Sequence, residues 1–260
     1  MGVLSDRQIK SRCIRPVGFL RHDNRWEAVI PGVTHTVEQV ENWTTRCYAR
    51  FRPVTHDQDL TQYGWQPMIE PFVDHAVRLK SVTKYPIEGV EDIQNIKIIS
   101  YGLSSYGYDI RLARDDIKIF SNINSAIVDP MRMSPAAYVS PDIHHDEEFG
   151  LDYFILPPKS VALGHTMEYF RVSRDLLVTC LGKSTYARVA MMPIVTPLEP
   201  EWEGDLVLEI ANLIECPTKI YIGCGIAQLT FNVGDEVCEV SYKDRGGKYQ
   251  GQKGTQDALV

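Results

Sequence analysis

The pattern that most constrains this chain is a succession of short strand-forming runs separated by turn residues. Ile96 to Ser100, Ile117 to Phe120, Tyr153 to Leu156, Leu176 to Cys180, Lys219 to Ile222 and Ile226 to Phe231 are rich in β-branched and aromatic residues, and Gly, Pro and Asp punctuate the chain around them. Runs this short fit strands better than helices, and the punctuation turns the chain back each time. The expectation is a mainly β protein, an antiparallel barrel or jelly roll. Helical signal is confined to the segment after Ser5, a stretch near Val37 to Arg50, and a turn or two after Ser184. At 260 residues and 44% hydrophobic content, the chain can bury a sizeable core as one domain.

Chemistry is concentrated between Gly182 and Glu209, which reads GKSTYARVAMMPIVTPLEPEWEGDLVLE. Ser184 and Arg188 are four residues apart, so a helical run after Gly182 sets a hydroxyl and a fixed cation on one face. The first N–H groups of such a helix are unpaired donors suited to an anion such as phosphate, and Lys183 adds a full charge beside them. An ordinary helix start followed by a surface arginine has the same spacing. From Asp205 to Asn212, strand alternation puts Leu206, Leu208 and Ile210 on one face and Val207, Glu209 and Ala211 on the other. Glu209 therefore has apolar neighbours. It stands either at a solvated rim or desolvated with a raised pKa, the state a general acid/base working near neutral pH requires. Between helix and strand, Pro197 and Pro200 stiffen the loop from Val195 to Trp202, which can present carbonyls to a base edge or a water.

Composition narrows the partners. A formal net charge of −7 speaks against a general nucleic-acid binder and for a free nucleotide as the target. No apolar run approaches eighteen residues and the N-terminus has no charged-then-apolar leader, so a cytoplasmic protein with no membrane partner is expected. Cysteines at 13, 47, 180, 216, 224 and 238 lack framework spacing, which predicts reduced thiols and removes any weight from the sequon at Asn42. The P-C-x-x-C half of a zinc-deaminase signature is missing, Cys216 and Cys224 being too far apart to replace it. His144-His145 precedes Asp146-Glu147-Glu148 in what reads as a solvated loop, so no metal site and no zinc are expected.

Six ordered blocks carry a resemblance: MIEPFV at 68–73, ISYGLSSYGYDIR at 99–111, GKSTYAR at 182–188, TPLEPEWEG at 196–204, GIAQ at 225–228 and EVSYKDRGGKYQGQ at 239–252. With the opening LSDRQI at 4–9, they resemble the bacterial dCTP deaminase family, relatives of the trimeric dUTPases, over roughly residues 67 to 255. The resemblance implies a dUTPase-like distorted jelly roll or β-barrel and a homotrimer whose sites are shared between neighbouring subunits. It implies that Glu209 is the general base, that Ser184 and Arg188 orient the attacking water and support the tetrahedral centre, and that Lys183, Ser184, Thr185, Tyr186, Ala187 and Arg188 cradle the triphosphate and sugar. Thr196 belongs to the binding loop, Glu199 to the deoxyribose, and Val207 and Leu208 to the pocket wall beside Glu209. Gln228 lies in a matching block, while Tyr242, Lys248 and Gln252 belong to a C-terminal segment that folds over the phosphates. Magnesium enters only as the companion of the triphosphate, no cofactor is tightly bound, and dTTP is a candidate inhibitor.

Such a chain forms a single domain over 1–260, with 13–66 an unmatched insertion, 81–95 a smaller extension and 243–260 a flexible lid or tail. The insertion carries Trp26, Trp43, Tyr48, Phe51, Tyr63 and Trp65, a composition that folds. The tail is dense in Gly, Lys and Gln, as in a segment that is disordered when free and closes over a ligand. A second departure is Val189-Ala-Met-Met-Pro-Ile194, where many relatives have Cys-Gly followed by aliphatics and then a polar Asn or His at the place of Ile194. With Val195, that position is a candidate for base specificity, and an apolar wall there accommodates a C5-modified cytosine such as 5-methyl-dCTP. Three functions follow in order: a dCTP deaminase releasing dUTP and ammonia, a dUTP pyrophosphatase or bifunctional enzyme, and a catalytically silent nucleotide-binding regulator.

Overall fold

In a computed structural model of the protein, the structure describes residues 2–14, 18–22, 25–29, 51–53, 66–87, 90–121 and 127–259. The strands in chain order are β1 (Gly2–Val3), β2 (Gly18–His22), β3 (Arg25–Val29), β4 (Phe51–Pro53), β5 (Ile69–Glu70), β6 (Ala76–Ile87), β7 (Val90–Ser104), β8 (Gly107–Arg111), β9 (Lys118–Phe120), β10 (Tyr138–Val139), β11 (His144–Asp146), β12 (Leu151–Leu156), β13 (Val161–Arg171), β14 (Leu176–Gly182), β15 (Met191–Pro193), β16 (Glu203–Asn212), β17 (Thr218–Tyr221) and β18 (Gly225–Val233). One six-stranded sheet runs β1-β18-β8-β7-β6, with β14 also on β18; the other runs β10-β9-β13-β16-β15, with β5 on β13. A three-stranded sheet, β11-β12-β17, completes the body. The pairings between these strands are antiparallel, as the punctuated runs predict, and each of the six runs falls on a strand.

Alternation explains the core. Leu206, Leu208 and Ile210 of β16 are buried, and they join Tyr108 of β8, Phe154 of β12, Phe170 of β13 and Phe231 of β18 in one apolar cluster that draws on all three sheets. Fully burying each such side chain contributes roughly 1.5–3 kcal/mol. Helix α1 (Asp6–Cys13) starts where Gln8 accepts the Ser5 N–H at 3.0 Å, and it buries Ile9 and Cys13, four residues apart on one face. Its Arg12 reaches Asp175 at 2.8 Å, which ties the opening block to the turn before β14.

The extension at 81–95 is the outer part of the β6–β7 hairpin, in which Ser81 pairs with Asn95 and Thr83 with Ile93. Within 13–66, strands β2, β3 and β4 form a separate antiparallel three-stranded sheet. The helical stretch expected near Val37 to Arg50 lies outside the described residues, as do the aromatic side chains of the insertion. The solvated loop expected at His144-His145 is corrected: both lie in β11, paired with β12. The reason is local pairing of side chains across the ladder, with His145 against Asp152 at 2.7 Å and Asp146 accepting from Lys219 at 2.9 Å. Both histidines remain exposed, so their polarity is satisfied within an edge strand.

Candidate active site

Glu209 sits in the middle of the second sheet. Its neighbour on β13 is Leu163, and on the other side the Ile194 N–H donates to the Glu209 carbonyl at 2.7 Å. Its side chain enters a cavity of about 820 Å³ walled by the 195–200 loop, by Val207, Leu163, Tyr138 and Trp202, and by residues of the C-terminal segment. That volume lies in the range of small-molecule sites. Burial among these apolar groups pushes the Glu209 carboxyl up to about 7, partly offset by its own backbone N–H. Glu209 is half-buried, so it lies between the two alternatives the sequence left open, rim and desolvated, with enough burial to raise the carboxyl.

Eight of the expected site residues share this cavity: Val195, Thr196, Glu199, Val207, Glu209, Tyr242, Lys248 and Gln252. They arrive from three places, the Pro-stiffened loop, one face of β16, and the tail. The tail lies against the body. Arg245 pairs with Glu199, and Arg174 joins Glu201 at 2.8 Å to Asp244 at 2.6 Å. Trp202 Nε1 donates to the Tyr249 carbonyl at 3.0 Å. The Tyr242 ring lies where a side chain on Gly247 would be, 2.1 Å from its Cβ position, and its hydroxyl accepts the Tyr249 N–H.

Gly204 admits the tail to β16. A Cβ there would meet Gln252 and the Trp202 ring at 3.0 Å, and Gln252 in turn brackets Asp205, accepting its N–H and donating Nε2 to its carbonyl at 2.7 Å. Gly204→Ala is therefore expected to destabilise the protein by about 1–3 kcal/mol, read as a lower Tm, with the 242–252 segment becoming more open to protease.

The helical group is elsewhere. Ser184, Thr185 and Ala187 lie in the one-turn helix α2 (Ser184–Ala187), and with Arg188 they are exposed and outside the Glu209 cavity. Arg188 Nη1 donates to the Ser184 backbone carbonyl at 2.9 Å. Lys183 is held at 2.5 Å by Asp109, whose other oxygen accepts from Gln228 at 3.1 Å. Three of the expected residues place their side chains away from the Glu209 cavity. Tyr186 is buried, with its hydroxyl accepting the Tyr221 N–H at 3.0 Å, so its side chain packs the helix onto β17. Leu208 is fully buried in the core because alternation turns it away from Glu209. Ile194 is 53% exposed and points outside the cavity that Val195 lines.

Sequence reading missed Tyr138, Leu163, Leu177, Tyr249 and Asp257 as cavity residues. Only strand register brings Leu163 opposite Glu209, and nothing local in the sequence marks it. Among the described residues, no three His, Cys, Asp or Glu side chains are grouped to hold a metal ion, and no helix is long and apolar enough to cross a membrane.

Residues 79–234 match the family described as dCTP deaminase-like. The chain is 51% identical over 187 residues to the dCTP deaminases of Pseudomonas paraeruginosa and Pseudomonas aeruginosa PAO1, an alignment covering 72% of this chain and 88% of each relative. It is 50% identical over the same length and coverage to the dCTP deaminase of Acinetobacter baylyi. A fold comparison with the 2'-deoxycytidine 5'-triphosphate deaminase of Agrobacterium tumefaciens gives a TM-score of 0.36 at 16% identity, over 60% of this chain and 44% of that one, too slight to bear on the site. On its sequence, the chain belongs to the dCTP deaminase-like family.

Proposed function

We propose that this protein hydrolyses dCTP to dUTP and ammonia. The observation that carries the reading is Glu209, a carboxylate whose pKa is raised to about 7 by burial in a nucleotide-sized cavity. Near neutral pH such a group both accepts and returns a proton. Glu209 takes a proton from water as the oxygen adds to C4 of cytosine, delivers it to N3, and then transfers the hydroxyl proton of the adduct to the departing amine. The C4–N bond breaks, ammonia leaves and the C4 carbonyl of uracil remains. Lys248 and Tyr242 stand at the cavity to meet the phosphates, and Glu199 the sugar.

Ser184 and Arg188 supply the fixed dipoles that stabilise the adduct. Since they are outside the Glu209 cavity of their own chain, the reading requires a second copy to present them, as in a homotrimer with shared sites. Magnesium accompanies the triphosphate and the chemistry needs no metal. Deamination is accordingly expected to persist after exhaustive treatment with a zinc chelator in magnesium buffer; its loss on chelation, with recovery on added zinc, would refute the metal-free step.

The apolar lining of Val195, Val207 and Leu163 supports a finer proposal, that 5-methyl-dCTP is also a substrate. Chromatography of products from dCTP, 5-methyl-dCTP, CTP and dUTP tests the set. No turnover of 5-methyl-dCTP removes the finer proposal, and dUMP with pyrophosphate from dUTP would replace deamination alone with a bifunctional enzyme.

A further inference from the structure

Residues 256–258 form part of the cavity wall, and part of their anchorage comes from β9, two strands across the sheet from Glu209. On the second sheet, Lys118 of β9 pairs with Leu163 of β13, which pairs with Glu209 of β16. These three positions share one cross-strand row and one sheet face, so Lys118 starts about 10 Å from Glu209. Its ammonium is committed to the C-terminal segment, donating to the Thr255 carbonyl at 3.0 Å and to Asp257 Oδ1 at 3.1 Å. Asp116, two residues earlier, accepts the Thr255 N–H at 2.8 Å. On the β16 side, Asp205 accepts the Gly254 N–H at 2.9 Å. The segment from 254 to 257 is thus pinned at two strands and crosses the sheet face between them.

Gln256, Asp257 and Ala258 line the same cavity as Glu209. The cavity still measures about 820 Å³ with these residues in position, so the segment is a wall and leaves room for a ligand. Sequence in this stretch, Gly254-Thr-Gln-Asp-Ala258, has little apolar surface to bury, so its hold on the body depends on the polar bonds.

We propose that Lys118, with Asp116, is a positioning residue that latches the C-terminal strap against the sheet and so completes the nucleotide cavity. The latch is a property of the free chain; its effect on turnover rests on the deaminase reading given above. Without Lys118 the strap loses the bonds to the Thr255 carbonyl and to Asp257 and is left with the Asp116 bond to the Thr255 N–H beside β9, so it opens more readily there while Glu209 keeps its place on β16. The consequence falls on retention of nucleotide and leaves the proton relay alone.

Hydrogen exchange of residues 251–259, followed in the full-length wild type and in Lys118→Met, Lys118→Arg and Asp257→Asn, tests the latch without any need for activity. Exchange in this segment is expected to speed up roughly tenfold in Lys118→Met and to a lesser degree in Asp257→Asn, with the strands unchanged, and to stay near wild type in Lys118→Arg, which keeps the charge. In parallel, the KM for dCTP is expected to rise by roughly tenfold in Lys118→Met while kcat changes less than about twofold. Unchanged exchange in both Lys118→Met and Asp257→Asn overturns the latch whether or not dCTP is turned over. A fall in kcat at constant KM overturns the positioning role. Faster exchange in a protein whose wild type deaminates nothing supports the latch and refutes the deaminase reading instead.

Discussion

Replacing Glu209 by Gln is expected to lower dCTP turnover by roughly 10³-fold, because the amide keeps the shape of the side chain and cannot accept a proton. The wild-type rate should rise with pH through an apparent pKa of about 7 and level off above it, since the ionised carboxylate is the form that accepts the proton of water. The residual rate of Glu209→Gln should lack this step. Stability should move the other way. The folded-state pKa of Glu209 is raised, so the group costs nothing below the unfolded value near 4.5 and progressively destabilises the fold as pH rises from there through about 7. Glu209→Gln removes that cost and is expected to unfold later than wild type at pH 8, by an amount of order 2 kcal/mol after allowance for partial solvation, and to show no such gain at pH 4. Stopped assays across pH 5 to 9 and thermal melts of both proteins measure these two effects. A flat pH–rate profile with an active Glu209→Gln protein would remove Glu209 from the chemistry.

The second large effect concerns Arg188. Arg188→Ala is expected to lose roughly 10²–10³ in kcat through the missing support of the tetrahedral adduct, although the guanidinium stands outside the Glu209 cavity of its own chain. The arrangement gives a sharper test by mixing. If Glu209 comes from one copy and Arg188 from the next, Glu209→Gln and Arg188→Ala chains co-assembled in equal amounts should recover about a quarter of the wild-type activity, since that share of trimer interfaces pairs an intact Glu209 with an intact Arg188. Each variant alone stays inactive. No recovery in co-purified mixed assemblies would mean that each chain builds its whole site by itself, and the exposed position of α2 would then need a conformational change to reach Glu209.

Much of this could be anticipated from local chemistry. Short β-branched runs between turn residues predict antiparallel strands because backbone propensity and punctuation act over a few residues. Period-two alternation separates Glu209 and Val207, which line the cavity, from Leu208 and Ile210, which are buried in the core. Where side chains lie elsewhere than expected, the reasons are equally local. Tyr186 sits inside a binding motif yet packs under the helix, and His144-His145 has the polarity of a loop yet pairs in β11. Leu208 belongs to the pocket wall by the family resemblance, while alternation sends its side chain to the core.

What the chain determines by itself is therefore the fold class, the family and the candidate for the acid/base residue, because each depends on residue type and near-neighbour spacing. Tertiary structure alone decided the rest. Register placed Leu163 and Lys118 in a row with Glu209, Gly204 let a polar tail lie on β16, and burial raised the Glu209 pKa to about 7. The separation of α2 from that cavity is likewise invisible in a motif that reads continuously from Gly182 to Glu209. The physical reason is that desolvation and contact depend on which distant segments close over a side chain, and no local pattern encodes that.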